Sequence, residues 1–286
     1  MSLVLQLTSQ AEALAALGAH LREGAEGLAV APDVSARLAH VARALGCEGS
    51  ADEARAAVGA ARAFLRQALD LLEHPERPSG WAYDDPIVLQ AQGRGSAPIA
   101  AAIAELAAQL GDLATRLAAP HAAILDIGSG VGWLSIALAR TYPAARVVGL
   151  DTWPAALALA ASNVSAEGLG ARVVCRAADV TTLEDLAAYD AAWIPGPFLS
   201  RDACVAALPR VRAALRDGGW AFFGLYGGPA DPLSMALADL RAVRSGGHPW
   251  STDEAAEALR GAGFVDVEAR AHGARAPVRL VVGRAR

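Results

Sequence analysis

Lysine is absent from this 286-residue chain, so all 25 basic residues are Arg. That excludes a lysine Schiff base and the lysine of a phosphate-binding P-loop. Long hydrophobic runs are missing too: 54% of the residues are apolar, but none of the runs approaches the roughly 20 residues of a membrane span. Residues 1–7 carry no basic flank ahead of their short apolar run, unlike a signal peptide, and a cytoplasmic location is expected. Cysteine is scarce. Cys47, Cys175 and Cys204 are odd in number, far apart and outside any CxxC spacing, which reads as buried thiols rather than a disulfide framework. The six histidines form no HxH or HExxH cluster, so no metal is expected. A net charge of −5 leaves no basic stripe for a phosphate backbone, which argues against nucleic acid as a partner.

What is present first is helix. Residues 9–22 and 33–45 read as helices, the second opened by Pro32-Asp33. Ser50 to Glu53 has the pattern of a capping box ahead of Val58, Ala61, Leu65, Leu69 and Leu72 at helical spacing, a run that ends near His74-Pro75. Residues 75–96 mix Pro, Gly and Ser and read as a linker or loop, whose Trp81, Tyr83, Gln90 and Gln92 either close over a ligand or pack on a core. A further helix is expected over 97–117, with Ile99, Ile103, Leu106, Leu110 and Leu113 on one face. Residues 1–96 are therefore a helical cap and linker, expected to close a site, to form a homodimer, or both. Residues 97–286 are the expected catalytic domain.

From Ala122 onward strands and helices alternate. Short apolar strands are expected at 124–127, 146–150, 172–176, 191–194 and 220–226, with helices at 133–140 and from Thr152-Trp153-Pro154, and a helical region with a break or kink at Pro209 that leads to Arg216. Asp231-Pro232 starts a helix whose Leu233, Leu237 and Leu240 are expected to face inward or against substrate. After a helix from Ser251, strands at 264–269 and 278–283 are close enough for an antiparallel pair. The pattern is an α/β fold: a mostly parallel sheet covered on both faces, with ligands at the carboxyl ends of the strands.

The stretch with the most chemistry is Asp126-Ile-Gly128-Ser129-Gly130-Val-Gly132-Trp133. A dinucleotide site uses GxGxxG, and here Trp133 stands where the third glycine belongs. Asp126 would repel a pyrophosphate at short range, which disfavours an NAD(P)-dependent oxidoreductase. A ligand carrying an ammonium and a sulfonium, such as S-adenosylmethionine, would instead gain from that acid, while the glycines let the backbone approach without a Cβ in the way. Asp151, ending the second strand, suits two ribose hydroxyls, with Thr152 beside it. Asp179, after the third strand, suits an exocyclic amine.

These residues, with Asp217-Gly-Gly219 ahead of the fifth strand, resemble the Rossmann-like class I S-adenosylmethionine-dependent methyltransferases. The resemblance covers about 118–286. It implies a seven-stranded sheet with a reversed last strand and S-adenosyl-L-methionine as cofactor. It assigns the glycine loop to the methionine part, Asp151 to the ribose, and Asp179 with Val180 to the adenine. Class I enzymes that methylate planar amines of bases often carry Asn or Asp followed by Pro-Pro and an aromatic after strand four, and this chain has Trp193-Ile-Pro-Gly-Pro-Phe198. A small, partly apolar methyl acceptor fits better. His248 is a candidate general base and Tyr226 a second. A protein that binds the cofactor without transfer is a further alternative.

Overall fold

The structure, a computed structural model, describes residues 3–46, 51–228, 231–274, 276 and 278–286. Contacts divide the chain into two units, Met1–Glu76 with Asp85–Gln92, and Arg77–Asp84 with Gly93–Arg286.

The first unit holds helices α1 (Leu3–Glu26), α2 (Pro32–Ala44) and α3 (Ala51–Glu73). α1 packs against both others. Gly18 faces Ala61, and Arg22 and Arg62 converge on Glu26 at 2.7 and 3.8 Å. Both Ser50 of the expected capping box and Cys47 lie outside the described residues. Helix α4 (Pro86–Ser96) corrects the expectation of a loop through residue 96. Asp85 caps it, accepting from the Ile87 amide at 2.8 Å, and Pro86 supplies a preset first turn. Its Gly93 serves packing: a Cβ there would lie 2.3 Å from Val131 Cγ2.

The second unit is built on seven strands: β1 (Ala123–Ile127), β2 (Arg146–Asp151), β3 (Val173–Ala177), β4 (Tyr189–Pro195), β5 (Leu215–Tyr226), β6 (Val265–Arg270) and β7 (Val278–Arg284). They form one sheet in the order β3-β2-β1-β4-β5-β7-β6, with β7 antiparallel to both neighbours and the others parallel. The expected mixed α/β sheet is thus present. Helices α5 (Ile99–Ala107), α6 (Leu113–Ala118), α7 (Trp133–Thr141), α8 (Pro154–Ala166), α9 (Arg201–Ala214), α10 (Pro232–Arg244) and α11 (Thr252–Gly261) complete the unit. From β1 the chain builds outward to β2 and β3, then crosses back to β4. The crevice at the carboxyl ends of β1 and β4 is the topological switch point.

Three local expectations are corrected. The helix expected over 97–117 is two helices, α5 and α6, separated by a turn in which Gly111 has φ 59°. β5 begins at Leu215, so Asp217-Gly-Gly219 belongs to the strand; the pairing with β4 shifts between Tyr189 and Ala191, and Gly218 takes φ 76°. Thr152 does not cap α8, since the N-cap is Trp153 and makes no side-chain capping bond. No helix of the described residues is long and apolar enough to cross a membrane.

The amino end of β4 is pinned by a buried acid. Asp190, 4% exposed, accepts from the Ala123 amide at 3.0 Å and pairs with Arg116 at 3.1 Å and with Arg216. Arg116 also reaches the Asp217 carbonyl at 2.9 Å. Removing the acid leaves two guanidiniums facing each other, so Asp190→Ala is expected to destabilise the protein by about 3 kcal/mol. Thermal denaturation should show a fall in Tm of roughly 6–12 °C.

Candidate active site

The glycine loop joins β1 to α7 at the switch point. Gly128, Gly130 and Gly132 all take left-handed backbone, with φ of 64°, 53° and 83°. A Cβ on Gly128 would also lie 2.9 Å from Pro195 Cγ at the end of β4. The loop is tied to β2 by two bonds: the Ser129 amide donates to the Leu150 carbonyl at 2.9 Å and the Gly130 amide to Asp151 Oδ2 at 2.7 Å. The other oxygen, Oδ1, accepts from the Trp153 amide at 2.8 Å. Asp151 thus fixes both the loop and the start of α8.

Asp126 lies beneath the loop, 1% exposed. Its Oδ2 accepts from the Ser135 hydroxyl at 2.5 Å, while Oδ1 and the nearby Ser129 hydroxyl are buried without hydrogen-bond partners. Burial pushes the Asp126 carboxyl up to about 7, the Ser135 bond opposing and the charge of Asp151 adding to the rise. A buried carboxyl oxygen and a hydroxyl left unsatisfied under a bare backbone loop suit the ammonium end of an amino acid.

Asp179 caps a 3-10 turn (Val180–Thr182), its Oδ1 accepting from the Thr181 amide and hydroxyl, each at 2.8 Å. The carboxyl is at the surface, and the Val180 side chain packs in the core with Leu150 and Leu183. Thr152 is exposed between Asp151 and Trp153. Trp133, at the position of the missing third glycine, is 9% exposed with the Arg94 guanidinium 4.1 Å above its ring. That indole occupies the place where a dinucleotide fold needs close helix-to-strand approach.

Residues 124–219 match a family model described as a methyltransferase domain. That stretch, about a third of the chain, is similar to a methyltransferase domain. Among curated relatives it is similar to the release factor glutamine methyltransferase of Cereibacter sphaeroides, 35% identical over 38% of this chain and 41% of that one. It is also similar to the enzyme of that name from Bordetella pertussis, 34% identical over 54% of this chain and 57% of that one. The chain therefore spans about half the length of these relatives. An O-methyltransferase family protein from Burkholderia thailandensis shares the fold, with TM-score 0.71 and 18% identity over 100% of this chain and 98% of that one.

The stretch around Trp81 and Tyr83, expected to close over a ligand or to pack on a core, falls partly on a defined segment. Residues 77–84 form a strap that groups with the second unit. The Trp153 indole donates to the Tyr83 carbonyl at 3.1 Å and to Asp84 Oδ1 at 2.9 Å, and the Gly80 amide donates to the Arg244 carbonyl at 3.2 Å. The aromatic residues in a Pro- and Gly-rich stretch were the available signal.

The expected acceptor-side residues are less uniform. Leu233, Leu237 and Leu240 are exposed by 68%, 44% and 40%, so the inward packing expected of them does not occur. α10 buries Ala242 instead. His248 packs edge-on against Trp250 at 4.8 Å, and its Nε2 lies 3.6 Å from Glu254 Oε1, beyond hydrogen-bond reach. Burial pushes the Tyr226 hydroxyl up to about 12, so at neutral pH it donates a proton rather than taking one.

The raised Asp126 carboxyl carries a pH signature. Below about 4 the group is protonated in both folded and unfolded chains and costs nothing; as pH rises from 3.8 to about 7 only the unfolded chain ionises, and stability falls. Asp126→Asn is expected to melt at the wild-type temperature near pH 4 and several degrees higher at pH 8, in ligand-free protein. It should also weaken S-adenosylhomocysteine binding at least tenfold. A Tm difference that does not change with pH would remove the carboxyl from this role.

Proposed function

We propose that this protein transfers a methyl group from S-adenosyl-L-methionine to a small-molecule acceptor. The observation that carries the cofactor side is the unsatisfied Asp126 oxygen beneath a glycine loop that Asp151 ties down. Asp126 with Ser129 would hold the methionine ammonium, Gly128, Gly130 and Gly132 would admit its backbone, Asp151 the ribose, and Asp179 with Val180 the adenine. When bound, the cofactor supplies a methyl group already activated by positive sulfur.

The chain's own contribution is then alignment and exclusion of water, which can account for a large part of a rate without a general base. That suits a site in which Tyr226 holds its proton and His248 rests against Trp250 and faces Glu254. The small-molecule reading is supported by the turn after β4. Pro195, Gly196 and Pro197 are buried there, and Phe223 packs so close to Gly196 that a Cβ would lie 2.3 Å from Cε1. No amide or acid follows Ile194 to grip a planar amine. The negative net charge supports the same reading.

Calorimetric titration with S-adenosylhomocysteine and, separately, NADH tests the cofactor assignment. Saturable binding of the first alone is expected, and binding of NADH alone would replace this function with an oxidoreductase. Asp151→Ala removes the acceptor for both the Gly130 and Trp153 amides and is expected to reduce S-adenosylhomocysteine affinity by about 100-fold, or roughly 3 kcal/mol. Affinity within about twofold of wild type would refute its role.

A further inference from the structure

Only 5% of the residues are aromatic, yet four rings form a continuous row beyond the carboxyl ends of β4 and β5. Trp81 and Tyr83 come from the strap, Phe198 from the 3-10 turn Gly196–Phe198, and Tyr226 from the last position of β5. Their centroids follow at 5.4 Å (Trp81 to Tyr83), 6.2 Å (Trp81 to Phe198) and 6.1 Å (Phe198 to Tyr226), all edge-to-face. Each residue is only half-buried. Rings gathered for the core alone would be covered, as Phe222 and Phe223 are on the same sheet.

The row is held by backbone. The Tyr83 carbonyl accepts from both the Trp81 and Trp153 indoles, at 3.2 and 3.1 Å. A Cβ on Gly247 would lie 1.9 Å from the Pro197 carbonyl oxygen, so the loop before His248 lies directly on the turn that carries Phe198. Such support fixes the ring positions before any ligand arrives.

An aromatic cluster alone would suit a cationic amine. Here two cations already occupy it. The Arg77 guanidinium lies 5.0 Å from the Tyr83 centroid and donates to its hydroxyl at 3.0 Å, and the Arg241 guanidinium lies 5.7 Å from the Tyr226 centroid. Of the nearby charged groups, Asp84 accepts from Trp153, Arg244 reaches the Arg77 carbonyl at 3.4 Å, and His248 is turned to Glu254. The Arg241 charge is felt at the row, where it opposes the burial that raises the Tyr226 hydroxyl.

Building on the methyl-transfer reading, we propose that this row is the acceptor subsite, and that it takes a flat aromatic ring bearing an acidic hydroxyl, held as its oxyanion by the Arg241 charge. The hydroxyl proton goes to solvent water. The oxyanion lone pair forms the new O–C bond as the C–S bond breaks, and the electron pair of that bond stays on sulfur as a neutral thioether. A positive field that stabilises the oxyanion takes the place of a base.

The test uses full-length protein saturated with S-adenosylhomocysteine, with 4-nitrophenol as probe because the absorbance of its phenolate reports ionisation directly. Binding is expected, with the ionisation midpoint of the bound probe lowered by about one unit. Arg241→Gln should return that midpoint towards the free value, and the volume-conserving Phe198→Leu should weaken probe binding about tenfold. Both variants should retain S-adenosylhomocysteine affinity. Protonated phenethylamine should compete at least tenfold more weakly than the phenol. Normal S-adenosylhomocysteine binding with no 4-nitrophenol binding, equal competition by phenethylamine, or wild-type behaviour of both variants would overturn the proposal. Absent S-adenosylhomocysteine binding would overturn the cofactor reading itself, and this proposal with it.

Discussion

The close approach of the glycine loop to β4 governs the rest of the catalytic unit. At Gly128 the backbone is left-handed and sits against Pro195, so the turn can be made there only without a side chain. That turn brings the Gly130 amide to Asp151, which in turn receives the Trp153 amide, and the Trp153 indole reaches the strap at Tyr83 and Asp84. One acid at the end of β2 thereby links the glycine loop to the segment that carries two of the four half-buried rings. The proposed cofactor and acceptor subsites share this connection, which lets alignment of the two reactants be set by a few short hydrogen bonds.

Much of this was legible in the sequence where a local rule was also a global one. The glycine spacing, the acids at the carboxyl ends of β1 and β2 and after β3, and the antiparallel pair at the C-terminus each follow from short-range chemistry, and the sheet order agrees with them. Asp231-Pro232 was read as a helix start and is one, with Asp231 accepting from the Ser234 amide at 3.0 Å. The same signature at Asp85-Pro86 was hidden by the Pro, Gly and Ser around it. Gly93 reads as a loop residue, but its reason is the Val131 side chain 38 positions away, a tertiary fact with no local trace.

The acceptor side was harder to read for a related reason. Apolar periodicity on α10 predicts a stripe packed inward or against substrate, yet Leu233, Leu237 and Leu240 are exposed and the helix buries Ala242 instead. Periodicity identifies a face but not what covers it. The aromatic row is drawn from three separate segments, at residues 81–83, 198 and 226, so no window of sequence contains it.

Two buried acids on neighbouring strands show how the sheet separates holding from binding. Asp190, at the amino end, is fully engaged by an amide and two guanidiniums, and its charge is compensated where it is buried. Asp126, at the carboxyl end, has one hydroxyl on one oxygen and nothing on the other. An acid kept for stability alone would gain from a partner like Arg116; a guanidinium beside Asp126 would satisfy it and repel an incoming ammonium. In the proposed reading the deficit at Asp126 is what a ligand's ammonium would fill, restoring to the carboxylate what burial removed.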